Sequence, residues 1–75
     1  MFSKMPIELA RISQINLDRE ILRTAIIAEL DAINLHEQMA VMTSDKNLKI
    51  VLIDVAKEEK THVGEFETLF LKLDK

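Results

Sequence analysis

"TSDKN", residues 43–47, separates two long segments in which apolar residues recur every three or four positions. It is the cluster of the chain richest in small polar residues, and either Ser44 or Asp45 is suited to cap a following helix. One Gly and one Pro in 75 residues leave few other places for a turn. The stretch therefore predicts an all-α fold, a two-helix antiparallel hairpin with a short loop.

The segment before the loop divides into two parts. Asn16 is predicted to cap the first long helix, so residues 1–15 form a separate N-terminal segment that has room for a short helix. Residues 16–75 form the helical hairpin, and its second helix is predicted to run to about Leu73. Gly64 lies inside that second helix, where it weakens helix propensity and favours close packing.

Polar residues interrupt the apolar stripe of both predicted helices. The first stripe passes through Glu29 and His36, and the second passes through Glu59 and His62, which lie within "EEKTH" at residues 58–62. The apolar members of the stripes are Leu22, Ala25, Ile26, Ala32, Ile33, Met39 and Ala40 in the first helix, and Leu48, Val51, Leu52, Val55, Phe66, Leu69, Phe70 and Leu73 in the second.

These interruptions have the composition of a metal site. A buried carboxylate has to be paired, hydrogen-bonded, protonated or bound to metal. Glu29 and Glu59 each lie about 15 residues from the loop, which places them at similar heights in an antiparallel hairpin. Glu59 and His62 are three positions apart and share a helix face. Glu29, Glu59 and His62 therefore form a candidate ligand set for a divalent metal such as Fe, Mn or Zn.

The ligand count predicts that the site is shared between two chains. Di-iron carboxylate bundles use one Glu from each of two helices and Glu-x-x-His from each of two others. This chain has half of that set. A chain of 75 residues without Cys is also too short to bury a large core and cannot be stabilised by disulfides. A homodimer would complete a four-helix bundle and supply four carboxylates and two imidazoles.

Composition argues against several other classes. The net charge is −3, with no basic cluster, and the only aromatic residues are three Phe, so no nucleic-acid partner is expected. No apolar run reaches the roughly 20 residues of a membrane span, and the N-terminus does not resemble a signal peptide. Absence of Cys is consistent with a cytoplasmic protein.

The residues leave other interpretations open. His36 is either a residue beside the ligands or at the entry to the site, or else a polar core or interface residue; Asp31 is either solvated or attracts cations toward the site. Glu59 and His62 could instead form a buried polar network or hold a structural Zn in a non-catalytic dimerisation module. A di-metal oxidase or peroxidase of the rubrerythrin kind is a third reading, disfavoured because no Cys-based electron-transfer centre is present.

"AIIAELDAINLHEQMA", residues 25–40, and "VLIDVAKEEKTHVGEFETL", residues 51–69, closely resemble the encapsulated ferritins. These are two-helix ferritin-like proteins associated with encapsulin nanocompartments. The resemblance covers roughly residues 17–73 and is closest to the archaeal branch, in which the domain is fused to the shell protein. It leaves open whether this chain is a natural short form or a domain of such a fusion.

The resemblance implies a ferroxidase that oxidises Fe(II) to Fe(III) with O₂ for iron storage or detoxification inside a cytoplasmic encapsulin compartment. It implies a homodimer, a ring of five dimers (a decamer) and an encapsulin shell partner. The implied ligands of the di-iron centre, with two Fe per dimer, are Glu29, Glu59 and His62, with Glu59 as the bridge. Asp31 matches an acidic position that guides iron inward, and His36 replaces a Tyr that is frequent in the family.

Overall fold

The computed structural model describes residues 13–73, which form two α-helices in antiparallel contact. Helix α1 spans Gln14–Met42 and helix α2 spans Lys46–Leu73. Residues 43–45 connect them, and no strand occurs between residues 13 and 73. The predicted all-α hairpin is therefore confirmed. Its loop lies within the predicted residues 43–47 but is shorter, because Lys46 and Asn47 already belong to α2. The short helix suggested within residues 1–15 falls almost entirely outside the described residues.

The N-cap of α2 is one that the sequence predicted, whereas the N-cap of α1 is not. Asp45 caps α2, and its Oδ1 accepts a hydrogen bond from the Leu48 amide at 2.9 Å. The N-cap of α1 is Ser13, whose Oγ accepts from the Asn16 amide at 3.4 Å, so the prediction of Asn16 as the cap is wrong. Ser13 has an extended backbone and its hydroxyl serves the first turn, which lets the helix start one turn earlier.

The hairpin is a single layer of two helices. Its principal extents are 49 × 25 × 11 Å, so it is about one helix diameter thick. Its radius of gyration is 15.5 Å, whereas a compact domain of about 60 residues would have about 10 Å. Neither helix in the described part of the chain has an apolar stretch long enough to cross a bilayer.

The core between the helices is small and is made of small side chains. The buried apolar residues among residues 13–73 are Ile33, Ala40, Ala56 and Val63. Ala56 and Val63 were missed by the predicted stripe although they lie beside it, on the side of α2 where Leu52, Val55 and Phe66 are half-buried. A step of three to Glu59 and a step of four to Val63 place these residues on one face of α2.

A large part of the apolar surface remains exposed, because two helices can cover only one side of each other. This includes Leu48, Val51 and Leu69 from the predicted stripe of α2. So many exposed large apolar residues in a chain of this size indicate that another surface covers part of them. The exposed large apolar residues are Ile15, Ile21, Ile27, Leu30, Leu35, Val41, Met42, Leu48, Ile50, Val51, Ile53, Leu69 and Leu71.

Two arginines of α1 close the open end of the hairpin. Arg19 Nη2 donates to the carbonyl oxygen of Leu73 at 2.9 Å, at the negative end of α2. The guanidinium of Arg23 lies 5.3 Å from the ring centroid of Phe70, within the range of a cation–π contact. These contacts hold the helix ends together where no covalent loop does so.

Candidate metal centre

Four polar side chains reach across the contact between the helices. Glu29 and His36 are seven residues apart on α1, and Glu59 and His62 are three residues apart on α2. Both spacings keep the two residues of a helix on the same face. The structure thus places all three predicted ligands, together with His36, between the helices rather than on their outer surfaces.

Glu29 and His62 form the first of two carboxylate–imidazole pairs. His62 Nδ1 lies 2.9 Å from Glu29 Oε2, and the side chains are 52% and 24% exposed. Two donor atoms each about 2.1 Å from one ion and at right angles to each other would be about 3 Å apart. The observed separation is therefore compatible with two ligands of one ion, but it is equally that of a hydrogen bond between imidazole and carboxylate, which a bound ion would have to replace.

His36 and Glu59 form the second pair. His36 Nδ1 lies 2.9 Å from Glu59 Oε1. Glu59 is only 9% exposed and is the buried charged residue of the described chain. Removing a carboxylate from water is costly unless it is hydrogen-bonded or paired. The imidazole of His36 provides that hydrogen bond, and Glu59 Oε2 is left for another partner.

The side-chain contacts do not join residues at equal distances from the loop. Glu29 contacts His62, which lies about one turn further from the loop than Glu59. Side chains tilt toward the N-terminus of their helix, so those of α1 lean away from the loop and those of α2 lean toward it. The predicted equal height of Glu29 and Glu59 along the hairpin therefore stays a prediction.

The surroundings of the pairs are charged and open to solvent. Lys60 Nζ and Glu37 Oε2 form an ion pair at 2.9 Å next to the buried His36–Glu59 contact. Asp31 is exposed on α1. Within residues 13–73, no three His, Asp or Glu side chains come together as a metal-binding group. One chain presents donors in twos, so a complete coordination sphere needs donors from outside the hairpin.

The sequence identified His36 as a candidate but not its partner. The signal was available: His36 lies two turns after Glu29 on the same face. What was missing was the register, because a shift of one turn decides which carboxylate of α2 the imidazole meets.

No protein-family model matches the chain, but its sequence and its fold are similar to those of known proteins. It is 67% identical over 55 residues to a ferritin-like–encapsulin shell fusion protein of Pyrococcus furiosus, a match that covers 73% of this chain and 16% of that protein. It superimposes on the crystal structure of an encapsulated ferritin domain from Pyrococcus furiosus with a TM-score of 0.81 and 51% identity, covering 99% of this chain and 69% of that one.

The fold and these similarities define an all-α protein of the ferritin-like class. Within that class, the chain belongs to the encapsulated ferritins. The two identity values differ because the first refers to 55 residues and the second to nearly the whole chain. The chain spans about one sixth of the length of the curated relative that it matches.

Proposed function

We propose that two copies of this chain form a ferroxidase centre that oxidises Fe(II) to Fe(III) with O₂. Membership of a ferritin-like family supports an iron-related role in general. The observation that carries the specific proposal is the presence of two interhelical carboxylate–imidazole pairs in a hairpin that leaves many large apolar residues exposed. Carboxylate oxygen and imidazole nitrogen are suitable ligands for iron.

The second copy completes what one hairpin lacks. Glu29, Glu59 and His62 of each chain would supply four carboxylates and two imidazoles, enough for two ions per dimer. The same association would cover apolar residues that are exposed in the single hairpin. Metal binding and assembly would then reinforce each other.

Each ligand has a distinct task in this proposal. Glu29 and Glu59 offset the positive charge of ferrous substrate, and Glu59, the more buried carboxylate, bridges two ions. His62 provides a neutral nitrogen ligand at the exposed edge of the site. When iron is bound, its oxidation supplies the electrons that O₂ takes up. Asp31, exposed on α1, attracts the incoming cation electrostatically.

The proposed setting is an encapsulin compartment in the cytoplasm. The Pyrococcus furiosus relative is described as a ferritin-like–encapsulin shell fusion protein. We extend that association to this chain, together with assembly of five dimers into a ring. A single-layer hairpin has no cavity in which ferric product could be stored. A surrounding shell would provide that volume.

A non-catalytic role has its own supporting observation. Each imidazole is already hydrogen-bonded to a carboxylate without any ion, so the four side chains can satisfy one another. In that case they form a polar network, or hold a structural Zn, that specifies how two hairpins pair. Such a module would bind metal or dimerise without consuming O₂.

The decisive experiment is Fe(II) oxidation. Anaerobic Fe(II) is added to metal-free protein, air is admitted, and ferric absorbance is followed together with O₂ consumption. We expect oxidation well above the protein-free control, with a first phase that saturates near one iron per chain. Glu59→Gln should abolish this phase, whereas Glu58→Gln, the same change at the neighbouring exposed residue, should leave it intact.

The outcomes separate the two functions. A folded dimer that binds Zn or Co(II) but does not accelerate Fe(II) oxidation would refute the ferroxidase and support the pairing module. In the same assay, Asp31→Asn should slow the initial rate at low salt without altering the saturating amount of iron. An unchanged initial rate would exclude electrostatic guidance by Asp31.

A further inference from the structure

The contact between His36 and Glu59 has a geometry that the direct ligand set does not explain. His36 Nδ1 is 2.9 Å from Glu59 Oε1, and the two side chains are 26% and 12% exposed. An ionised carboxylate only accepts hydrogen bonds, so the imidazole has to donate from Nδ1. A half-buried donor is thus directed at one oxygen of the most buried carboxylate of the site.

The heights of the residues place Glu59 between His36 and the Glu29–His62 pair. His36 lies seven residues beyond Glu29 on α1, about 10 Å closer to the loop, and Glu59 lies about 4.5 Å closer to the loop than His62 on α2. Side chains tilt toward the N-terminus of their helix, so His36 tilts back toward Glu59. It reaches the carboxylate from the loop side, opposite the first pair.

We propose that His36 is a positioning residue, which holds the Glu59 carboxylate by its Nδ1–H donor and thereby prepares that carboxylate for metal binding. This rests on the proposed metal centre and adds a role to it. The hydrogen bond of His36 is to Glu59, whereas Glu29 is hydrogen-bonded to His62. His36 would therefore act on a bound metal through Glu59 rather than as a ligand. Hydrogen-bonding partners of this kind orient ligands, and their loss typically lowers metal affinity or activity about 10- to 100-fold.

Amide side chains allow the two ring nitrogens to be tested separately. The amide nitrogen of Asn lies at about the position of imidazole Nδ1, whereas the amide of Gln reaches about the position of Nε2. If His36 positions Glu59, His36→Asn should retain the donor and His36→Gln should lose it. If His36 were a direct ligand through Nε2, the order of the two variants would be reversed.

The test measures binding of Co(II) to the metal-free full chain by titration calorimetry and by visible absorption, which reports on the ligands around the ion. We expect His36→Leu to weaken Co(II) binding about 10- to 100-fold and His36→Asn to restore it to within a few-fold of the parent protein. Glu37→Gln serves as the control, because Glu37 also pairs across the helices but does not contact Glu59. This control should bind Co(II) like the parent.

Each outcome decides the matter. Equal Co(II) affinity in His36→Leu and the parent, or better binding by His36→Gln than by His36→Asn, would overturn the positioning role while leaving the ferroxidase proposal intact. If His36→Leu does not fold, equal binding by the Asn and Gln variants would overturn it as well. A parent protein that does not bind Co(II) would overturn both proposals. A parent that binds Co(II) with the expected order of variants but does not oxidise Fe(II) would contradict the ferroxidase alone.

Discussion

Glu59 is a buried carboxylate that lowers the stability of the fold but serves the proposed metal site. Its neighbours on the buried face of α2 are Ala56 and Val63, both of which favour packing, whereas Glu59 itself is 9% exposed and charged. Burying a charged group costs free energy even when a hydrogen bond compensates part of the loss. The one contact that offsets this cost is made by His36 from the other helix. Such a residue is retained for what it binds rather than for what it adds to the fold.

Replacing this carboxylate with an apolar side chain should therefore stabilise the metal-free protein. The gain is expected only if its hydrogen-bond partner is replaced as well. We expect the double variant Glu59→Leu, His36→Leu to raise the free energy of unfolding by about 1 kcal/mol in the presence of a chelator, because both members of a part-buried polar pair become apolar and no donor is left without an acceptor. Urea unfolding followed by circular dichroism measures the change.

Glu58→Leu is the matched control, since Glu58 is exposed and its replacement should change stability by less than about 0.5 kcal/mol. A double variant less stable than the parent without metal would show that the pair of His36 and Glu59 is itself a net source of stability.

Each helix is long enough to need more than propensity to stay in place. Helix α1 has 29 residues and α2 has 28, and neither has an acidic residue in its first turn. Ser13 and Asp45 begin them through side-chain caps, and Arg19 binds the last carbonyl of α2. Gly64 is the weak position in α2. A Cβ built there would meet no atom within 4 Å, so the close packing expected from the sequence does not occur within this chain.

Substitution of this glycine should stabilise the helix. We expect Gly64→Ala to raise the free energy of unfolding by about 0.8–1 kcal/mol, because Ala restricts the unfolded backbone and meets open space in the fold. Thermal unfolding of the two proteins at equal concentration measures the difference.

Glu67→Ala, an exposed change on the same helix, controls for the general effect of adding alanine and should remain within about 0.5 kcal/mol of the parent. A loss of stability in Gly64→Ala that disappears on dilution would instead locate a second chain against this position.

The chain as a whole is a layer that cannot enclose a core. Its described part is about 11 Å thick, and its buried apolar residues are few and small. At this length a single chain covers too little surface to be stable without help, and the exposed apolar residues provide a surface for it. The proposed dimer answers both requirements, since one association covers the apolar face and completes the ligand set.

Stability should accordingly depend on protein concentration. For a folded dimer that unfolds to monomers, each tenfold increase in concentration should add about 1.4 kcal/mol to the apparent free energy of unfolding. Thermal unfolding over a hundredfold range of concentration, with native mass spectrometry at each end, checks this.

A chelator at fixed excess keeps the metal content constant across the series, and a parallel series with Co(II) should unfold at higher temperature throughout. A midpoint that does not change with concentration, together with a monomer mass, would contradict the dimer and with it the shared metal site.

The architecture of this protein could be read from local patterns. The loop within residues 43–47 and the cap at Asp45 depend on short-range propensities and hydrogen bonds, which act within a few residues. The polar interruptions at Glu29, Glu59 and His62 were visible for the same reason, because their spacing within each helix is a local property. The start of α1 was misplaced by one turn because both Ser13 and Asn16 are competent caps.

The contacts that those polar residues make across the helices could not be predicted from local patterns. Which carboxylate meets which imidazole depends on the axial register of two helices and on the rotation of α2, and both are set by how small side chains such as Ala40 and Ala56 pack together. Axial register and side-chain tilt together pair Glu29 with His62 and His36 with Glu59. The sequence by itself determines the residue types and their spacing within each helix. The axial register between the two helices depends on how their surfaces pack, so only the folded hairpin determines it.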